Sequence, residues 1–351
     1  MRKLTRWFLL ALLIINFCYV FSGALHLSWH SEDVVGFWLL KAKAIYLENG
    51  FPIHTLKNPD FLLGHPHYPI LLPFLFSLEY RVVGGINEMA VFLLYPFVYL
   101  FILFVCYKSL RKLSLPPLFS LLMTYVYSML SPLLTQAGRE QAGSADIVIV
   151  LFVWLLIHEL LGKKRLWILL SIVLMASQIK LEGVFLVIPI LLLPGSKWAR
   201  TWIFIAAIAP VVAWKYLLLS LQIPTDFTLQ WMGVEESAHR LFLTIQYTLK
   251  EMLNFKNWYI LWPLFWLSVP LVKTQNSFIR RFAWPTLSVL FLLFIGVYLT
   301  ATLEPAGYIS SSIDRVLFQL SPWVWVIFSW NIFQIFKSLA LSFLRRQESS
   351  Q

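Results

Sequence analysis

The sequence predicts an all-α, polytopic transmembrane helix bundle. Three observations lead there. Hydrophobic residues make up 59% of the 351 positions and charged residues only 13%, about half of what a soluble domain carries. Apolar runs of helix length recur along the chain, without the two-residue alternation of a membrane β-barrel. Clusters of Lys and Arg punctuate those runs at regular intervals. The net charge of +11 therefore reads as cationic loops held beside anionic lipid headgroups, and nucleic acid is not expected as a partner.

The first run, Phe8–Ala24, follows Met1-Arg2-Lys3 and is longer than the apolar core of a signal peptide, so an uncleaved helix is expected. The basic clusters are Arg2/Lys3/Arg6, Lys108/Arg111/Lys112, Lys163/Lys164/Arg165, Lys197/Arg200, Lys273/Arg280/Arg281 and Lys337/Arg345/Arg346, and they hold 17 of the 28 basic residues. Placing all six in the cytoplasm satisfies the positive-inside rule. It gives about ten spans, near 7–25, 88–107, 116–134, 145–161, 165–179, 183–194, 200–220, 258–272, 282–301 and 317–338, with both termini cytoplasmic. The apolar stretch Tyr68–Val83 is then not a span, since a crossing there would put Lys108–Lys112 outside; it is expected to lie along the outer interface. Residues 26–87 become a long first outer loop carrying interfacial helices, and 223–257 a second, in which Glu235-Glu236 and His239-Arg240 fall on a short amphipathic helix. Residues 1–340 are expected to form one membrane domain, and 341–351 a disordered cytoplasmic tail.

The acidic residues are one-sided on this topology. Of 17, only Glu159 and Glu348 fall inside, which points to chemistry on the outer face. Glu32-Asp33 stands out, because charge at the mouth of a membrane helix is costly and usually marks a site. Asp33 and Asp146 are also favoured helix N-caps. The runs 165–179 and 183–194 are short of the roughly 20 residues a crossing needs. The polar turn Lys180-Leu181-Glu182-Gly183 between them is expected to be sunk below the outer surface, where irregular backbone is tolerated only beside a cavity. His65 and His67 flank Pro66, but two ligands without a third do not make a metal site. Cys18 and Cys106 fall inside spans and suggest neither a disulfide nor a cluster. The pairs Trp258/Trp262 and Trp323/Trp325 read as interface-belt residues.

Four segments, in order, resemble the GT-C glycosyltransferases that use polyprenyl-phosphate sugars, broadly glycosyltransferase family 39 and the lipid A aminoarabinose transferase type. They are Glu32-Asp33 followed by the amphipathic Phe37–Asn49; His65-Pro66-His67-Tyr68-Pro69; Arg139-Glu140 and Gly143-Ser144-Ala145-Asp146, with Lys180 and Glu182-Gly183 beyond; and Ser312-Ile313-Asp314-Arg315 ahead of Pro322. The resemblance implies a first outer loop lying over a membrane cavity and sugar transfer from a polyprenyl-phosphate donor at the outer face. Asp33, with Glu32 as the alternative, would be the base that activates the acceptor. Lys180, Arg315 and Arg139 would hold the donor phosphate, and Asp146, His65, His67, Tyr68 and Glu182 would support substrate. No cofactor is implied beyond the donor itself, and a divalent metal is not required. The acceptor would be a lipid, a glycan or a protein. A bacterial inner membrane is expected over the endoplasmic reticulum, because the sequence shows no retention signal or large lumenal domain. Many relatives carry a soluble outer domain after the helices, which this sequence does not show. A multi-pass lipid or glycolipid flippase without transferase activity is the competing reading; it would bury charges near mid-membrane.

Overall fold

A computed structural model describes residues 2–26, 31–193, 197–224, 228–272 and 276–349. Lys273 lies outside them, as do the side chains of Arg2, Arg345 and Arg346. The described chain is helical apart from turns and one isolated bridge, between Leu229 and Ala301. Five helices are long and apolar enough to cross a membrane, or six if one bent pair counts as a single span. The protein is therefore an integral membrane protein.

Helix α1 (Arg2–His26) leads into a π-helical segment, Asp33–Leu39, continuous with α2 (Leu40–Leu47). Two short turns follow, α3 (Ile53–Lys57) and a 3₁₀ turn over Pro59–Gly64. Glu48 organises the first of them: its carboxylate accepts from the His54 and Thr55 amides at 3.1 and 2.9 Å, at the positive end of α3. Helix α4 (Leu71–Val83) has only 13 residues, too short to cross. It buries Leu72, Phe76 and Tyr80 and leaves Phe74, Leu75, Leu78 and Val82 exposed.

Helix α5 (Glu88–Lys112) is a full-length span capped by Asn87. The expected span 116–134 is instead a bent pair, α6 (Pro117–Ser128) and α7 (Ser131–Gly138), turned by 67° where Pro132 follows the break. Helix α7 crosses α1 at backbone contact: a Cβ on Gly23 would overlap the Gly138 carbonyl, and one on Gly138 would overlap the Val20 carbonyl. This crossing and the bond from the Ser31 amide to the Glu140 carbonyl (2.6 Å) hold residues 31–33 against the start of α8 (Ala145–Leu160).

Helix α9 (Leu166–Ile179) is 14 residues, about 21 Å long, short of a bilayer core. The chain breaks at Lys180 and returns as a 3₁₀ helix, Leu181–Val187, and a four-residue α10 (Ile188–Leu191), where a plain helix over 183–194 is expected. Gly183 makes the reversal possible, since any Cβ there would strike the backbone of Ala176. Helix α11 (Lys197–Ser220) precedes the amphipathic α12 (Val234–Met252). The expected span 258–272 divides into α13 (Phe255–Trp258) and α14 (Leu261–Leu271), separated at Tyr259, whose φ is 50°. A π turn, Ile279–Ala283, opens α15 (Trp284–Thr300). Helix α16 (Pro305–Ser349) runs 45 residues. It starts earlier than the expected 317–338, and residues 341–349 continue it where a disordered tail is expected.

Trp258, Trp262, Trp323 and Trp325 are at most 1% exposed and belong to the core, not to an interface belt. The ends of α9 and α15, the beginnings of α8 and α16 and the Asp33–Leu39 segment meet at one end of the bundle. The opposite end gathers Lys3, Arg6, Lys112 and Arg165; there Lys112 donates to the His158 carbonyl at 2.9 Å and Arg165 pairs with Glu159 at 3.0 Å.

Candidate functional site

A cavity of about 630 Å³ opens where those helix ends meet, within the range usual for small-molecule sites. Most of its charged groups stand at or near helix breaks. Asp33 begins the π-helical segment, Asp146 lies in the first turn of α8, Lys180 occupies the break after α9, and Glu304 and Arg315 belong to the start of α16. In an apolar chain such breaks are where backbone amides and charges can share a polar space.

The deepest feature is a closed network. Asp146 is 2% exposed and Lys180 6%. The Lys180 ammonium donates to Asp146 at 2.8 Å, the Gln319 amide donates to the same oxygen at 2.5 Å, and the Ser144 hydroxyl donates to the other at 3.2 Å. Ser144 also caps α8 by accepting from the Asp146 amide. Lys180 is further paired with Glu182 at 3.4 Å. The second oxygen of Glu182 is buried and accepts no bond among the described residues.

Across the cavity, Arg315 donates to Asp33. This pair is more open, with Arg315 26% and Asp33 39% exposed. A second nitrogen of Arg315 reaches the Ser311 carbonyl at 3.3 Å. Asp33 does not cap a helix with its side chain; the amides of Val34 and Val35 bond to the Ser31 carbonyl instead.

An aromatic wall closes a third side. Phe37, Trp38, His65, His67 and Tyr68 line the cavity and pack edge-to-face or tilted, with centroids 4.1 Å apart for Phe37 and His65 and 4.4 Å for His67 and Tyr68. The Tyr68 ring lies between two ammonium groups, Lys41 at 5.8 Å and Lys180 at 5.9 Å. Burial first, and the Glu182 charge second, raise the Tyr68 phenol above its ordinary value, so it remains a proton donor. Lys41 is fully buried and donates to the His65 and Tyr68 carbonyls at 2.6 and 3.4 Å. The Trp214 indole donates to the His67 carbonyl at 2.9 Å. These contacts fix the 65–68 turn against α2 and α11.

Eight of the ten residues singled out in the sequence line this one cavity: Asp33, His65, His67, Tyr68, Asp146, Lys180, Glu182 and Arg315. Two do not. Arg139 turns away to the Tyr19 hydroxyl at 3.2 Å and to Glu140 at 3.3 Å, because α7 ends against α1. Glu32 stands outside the lining, and its side chain caps nothing. The sequence reading passed over Lys215 of α11, Glu304, Tyr308 and Ser311, all of which border the cavity. Lys215 carried a usable signal, as the one charge inside an otherwise apolar run over 201–219. Glu304 is engaged in accepting from the Ala306 and Gly307 amides at 3.0 and 2.5 Å. Among the described residues no group of three potential metal ligands occurs.

No family model, curated protein or solved structure matches the chain.

Proposed function

We propose that this protein is a membrane glycosyltransferase of GT-C type, which moves a sugar from a polyprenyl-phosphate donor to an acceptor on the outer face of a bacterial inner membrane. The observation that carries the reading is the pairing, across one cavity, of a half-exposed carboxylate in the first interhelical loop with a cation in the first quarter of the last helix. On this reading the chain crosses about ten times, with residues 26–87 and 223–257 as outer loops and both termini cytoplasmic. Short helices such as α9 cross where the bilayer is locally thinned around them.

The chemistry follows from the charges. An acceptor hydroxyl is a poor nucleophile, and a carboxylate within hydrogen-bond reach takes its proton as it attacks. Asp33 serves as that base. The acceptor oxygen bonds to the anomeric carbon, the bond from that carbon to the phosphate oxygen breaks, and the electron pair leaves with the polyprenyl phosphate. Attack opposite the leaving group in a single displacement inverts the anomeric centre. The phosphate's growing charge calls for fixed cations. Arg315 is the first of these, because its planar fork can pass from Asp33 to a phosphate. Lys215 joins it from α11, with a stem long enough to keep its ammonium in the polar space. Lys180 contributes its field while remaining bonded to Asp146. The unengaged oxygen of Glu182, the Tyr68 hydroxyl and the aromatic wall supply contacts for sugar. The acceptor is a lipid, a glycan or a protein that approaches from the outer side.

The test is made in proteoliposomes loaded with a radiolabelled polyprenyl-phosphate sugar and a crude envelope acceptor fraction. Label should move to the acceptor as free polyprenyl phosphate appears. Passage of intact donor between leaflets, without cleavage, would instead establish the flippase reading.

A further inference from the structure

Helix α12 presents three different faces, and their order along its circumference defines where it lies. Leu241, Phe242, Ile245, Leu249 and, upstream, Val234 are exposed apolar side chains, and at 100° per residue they fall within about 120° of arc. The next arc is exposed and polar, with His239, Gln246 and Lys250. The third arc faces protein: Arg240, Thr244 and Thr248 are at most 6% exposed, and Leu243 and Tyr247 pack beside them on the Tyr298/Ile309/Ile313 cluster. The exposed apolar arc is therefore not the face through which the helix packs on the protein. Nor is α12 apolar enough to cross a membrane.

We infer that α12 lies in the plane of the lipid–water boundary, with the Leu241/Phe242/Ile245/Leu249 arc in the acyl region and the His239/Gln246/Lys250 arc in water. Only that boundary serves both exposed arcs at once. Helix α12 also packs on α15 and α16, both long enough to cross, which sets it beside the membrane-spanning part of the bundle.

The protein-facing arc gives this placement a consequence for the cavity. Arg240, paired with Glu236 at 2.6 Å, donates to the Ala301 and Leu303 carbonyls at 2.7 and 3.3 Å. The segment just before α12 is laddered to the same strip: the Gln230 amide bonds to the Thr300 carbonyl at 2.7 Å and the Thr302 amide to the Thr228 carbonyl at 3.1 Å. Leu229, Leu303 and Glu304 line the cavity. Helix α12 thus ties the cavity rim to the membrane surface, so the cavity opens at headgroup depth. This holds whether or not sugar transfer is the reaction.

The experiment uses the full-length protein carrying Cys18→Ser, in lipid nanodiscs. Nitroxide labels are placed singly through Phe242→Cys, Ile245→Cys and Leu249→Cys, and through His239→Cys, Gln246→Cys and Lys250→Cys. All six positions are exposed, so folding is preserved. Collision with oxygen, which partitions into lipid, should exceed collision with a water-soluble nickel chelate several-fold at the first three positions, and the order should reverse at the last three. Nickel access at all six would show the apolar arc in water. Protection from both reagents at the first three would show a protein partner or a second copy on it. Either result overturns the inference. Arg240→Gln should raise thiol labelling at Leu303→Cys; unchanged labelling would detach the rim from the helix.

Discussion

Asp146–Lys180 and Asp33–Arg315 are both carboxylate–cation pairs on the wall of one cavity, yet their surroundings differ. The first is almost sealed, and Asp146 also takes bonds from Gln319 and Ser144. The second leaves about a quarter of Arg315 and over a third of Asp33 open to the cavity. Burial makes the first pair strong in its mutual field and expensive to break, since removing one partner strands a charge in low dielectric. Exposure makes the second weak in stability but free to exchange partners, since open pairs contribute about 0–1 kcal/mol. One pair joins α8, the break after α9 and α16 into a frame; the other is the part a ligand can enter.

That contrast is broken or sharpened by substitution. The largest effect is expected at Asp33. Asp33→Asn keeps the shape and removes the proton acceptor, so transfer should fall about 10²–10⁴-fold with abundance and melting temperature unchanged. Glu32→Gln, outside the cavity lining, should leave transfer nearly intact; the opposite outcome would move the base to Glu32. Next is the frame. Asp146→Ala should cost about 3–5 kcal/mol of stability, read as a lower melting temperature in detergent. The double variant Asp146→Leu/Lys180→Met should recover part of that loss, because neither charge is then stranded. Equal losses in the single and double variants would show that the pair is not the source.

A smaller effect is expected for Arg315→Ala. Losing a hydrogen bond to a charged group, at about 1.5–3 kcal/mol, should weaken binding of a non-transferable donor analogue about 10- to 100-fold, with little change in melting temperature. Full binding would place the donor phosphate elsewhere. The smallest concerns Glu48. Burial acts to raise its carboxyl, but the bonds from Thr55 and His54 outweigh it and hold the group below its ordinary 4.5. Its contribution is therefore present above that value and lost as pH falls through the lowered one. Melting curves of wild type and Glu48→Gln should differ by about 0.5 kcal/mol near neutrality and converge in acid; a constant offset would remove Glu48 as the cause.

What was legible in the sequence follows the cost of charge in apolar surroundings. Asp33, Asp146, Lys180 and Arg315 interrupt hydrophobic runs, and the physical reason that makes them conspicuous also draws them into one polar space. The short length of residues 165–179 likewise announced the break at Lys180. Arg139 looked equivalent in sequence, but its direction depends on how α7 meets α1, and the Gly23–Gly138 contact turns it to Tyr19. Lys41 lies within the amphipathic stretch Phe37–Asn49 and carries no signal of its own there; only the fold of 65–68 over it makes it a buried clamp. The bend between α6 and α7 and the break at Tyr259 interrupt continuous apolar runs, so run length alone overstates those helices. The four core Trp residues show the same limit, since hydrophobicity does not separate a lipid-facing belt from a helix–helix contact.

The exchange assigned to the open pair is tested most directly by a structure of the protein in nanodiscs with a non-transferable polyprenyl-phosphate sugar analogue bound. The phosphate should sit on Arg315, with Asp33 released toward the acceptor side and the Lys180–Asp146 contact still near 2.8 Å. An analogue bound with Asp33 and Arg315 still paired, or a phosphate that takes Lys180 from Asp146, would contradict the division between frame and site.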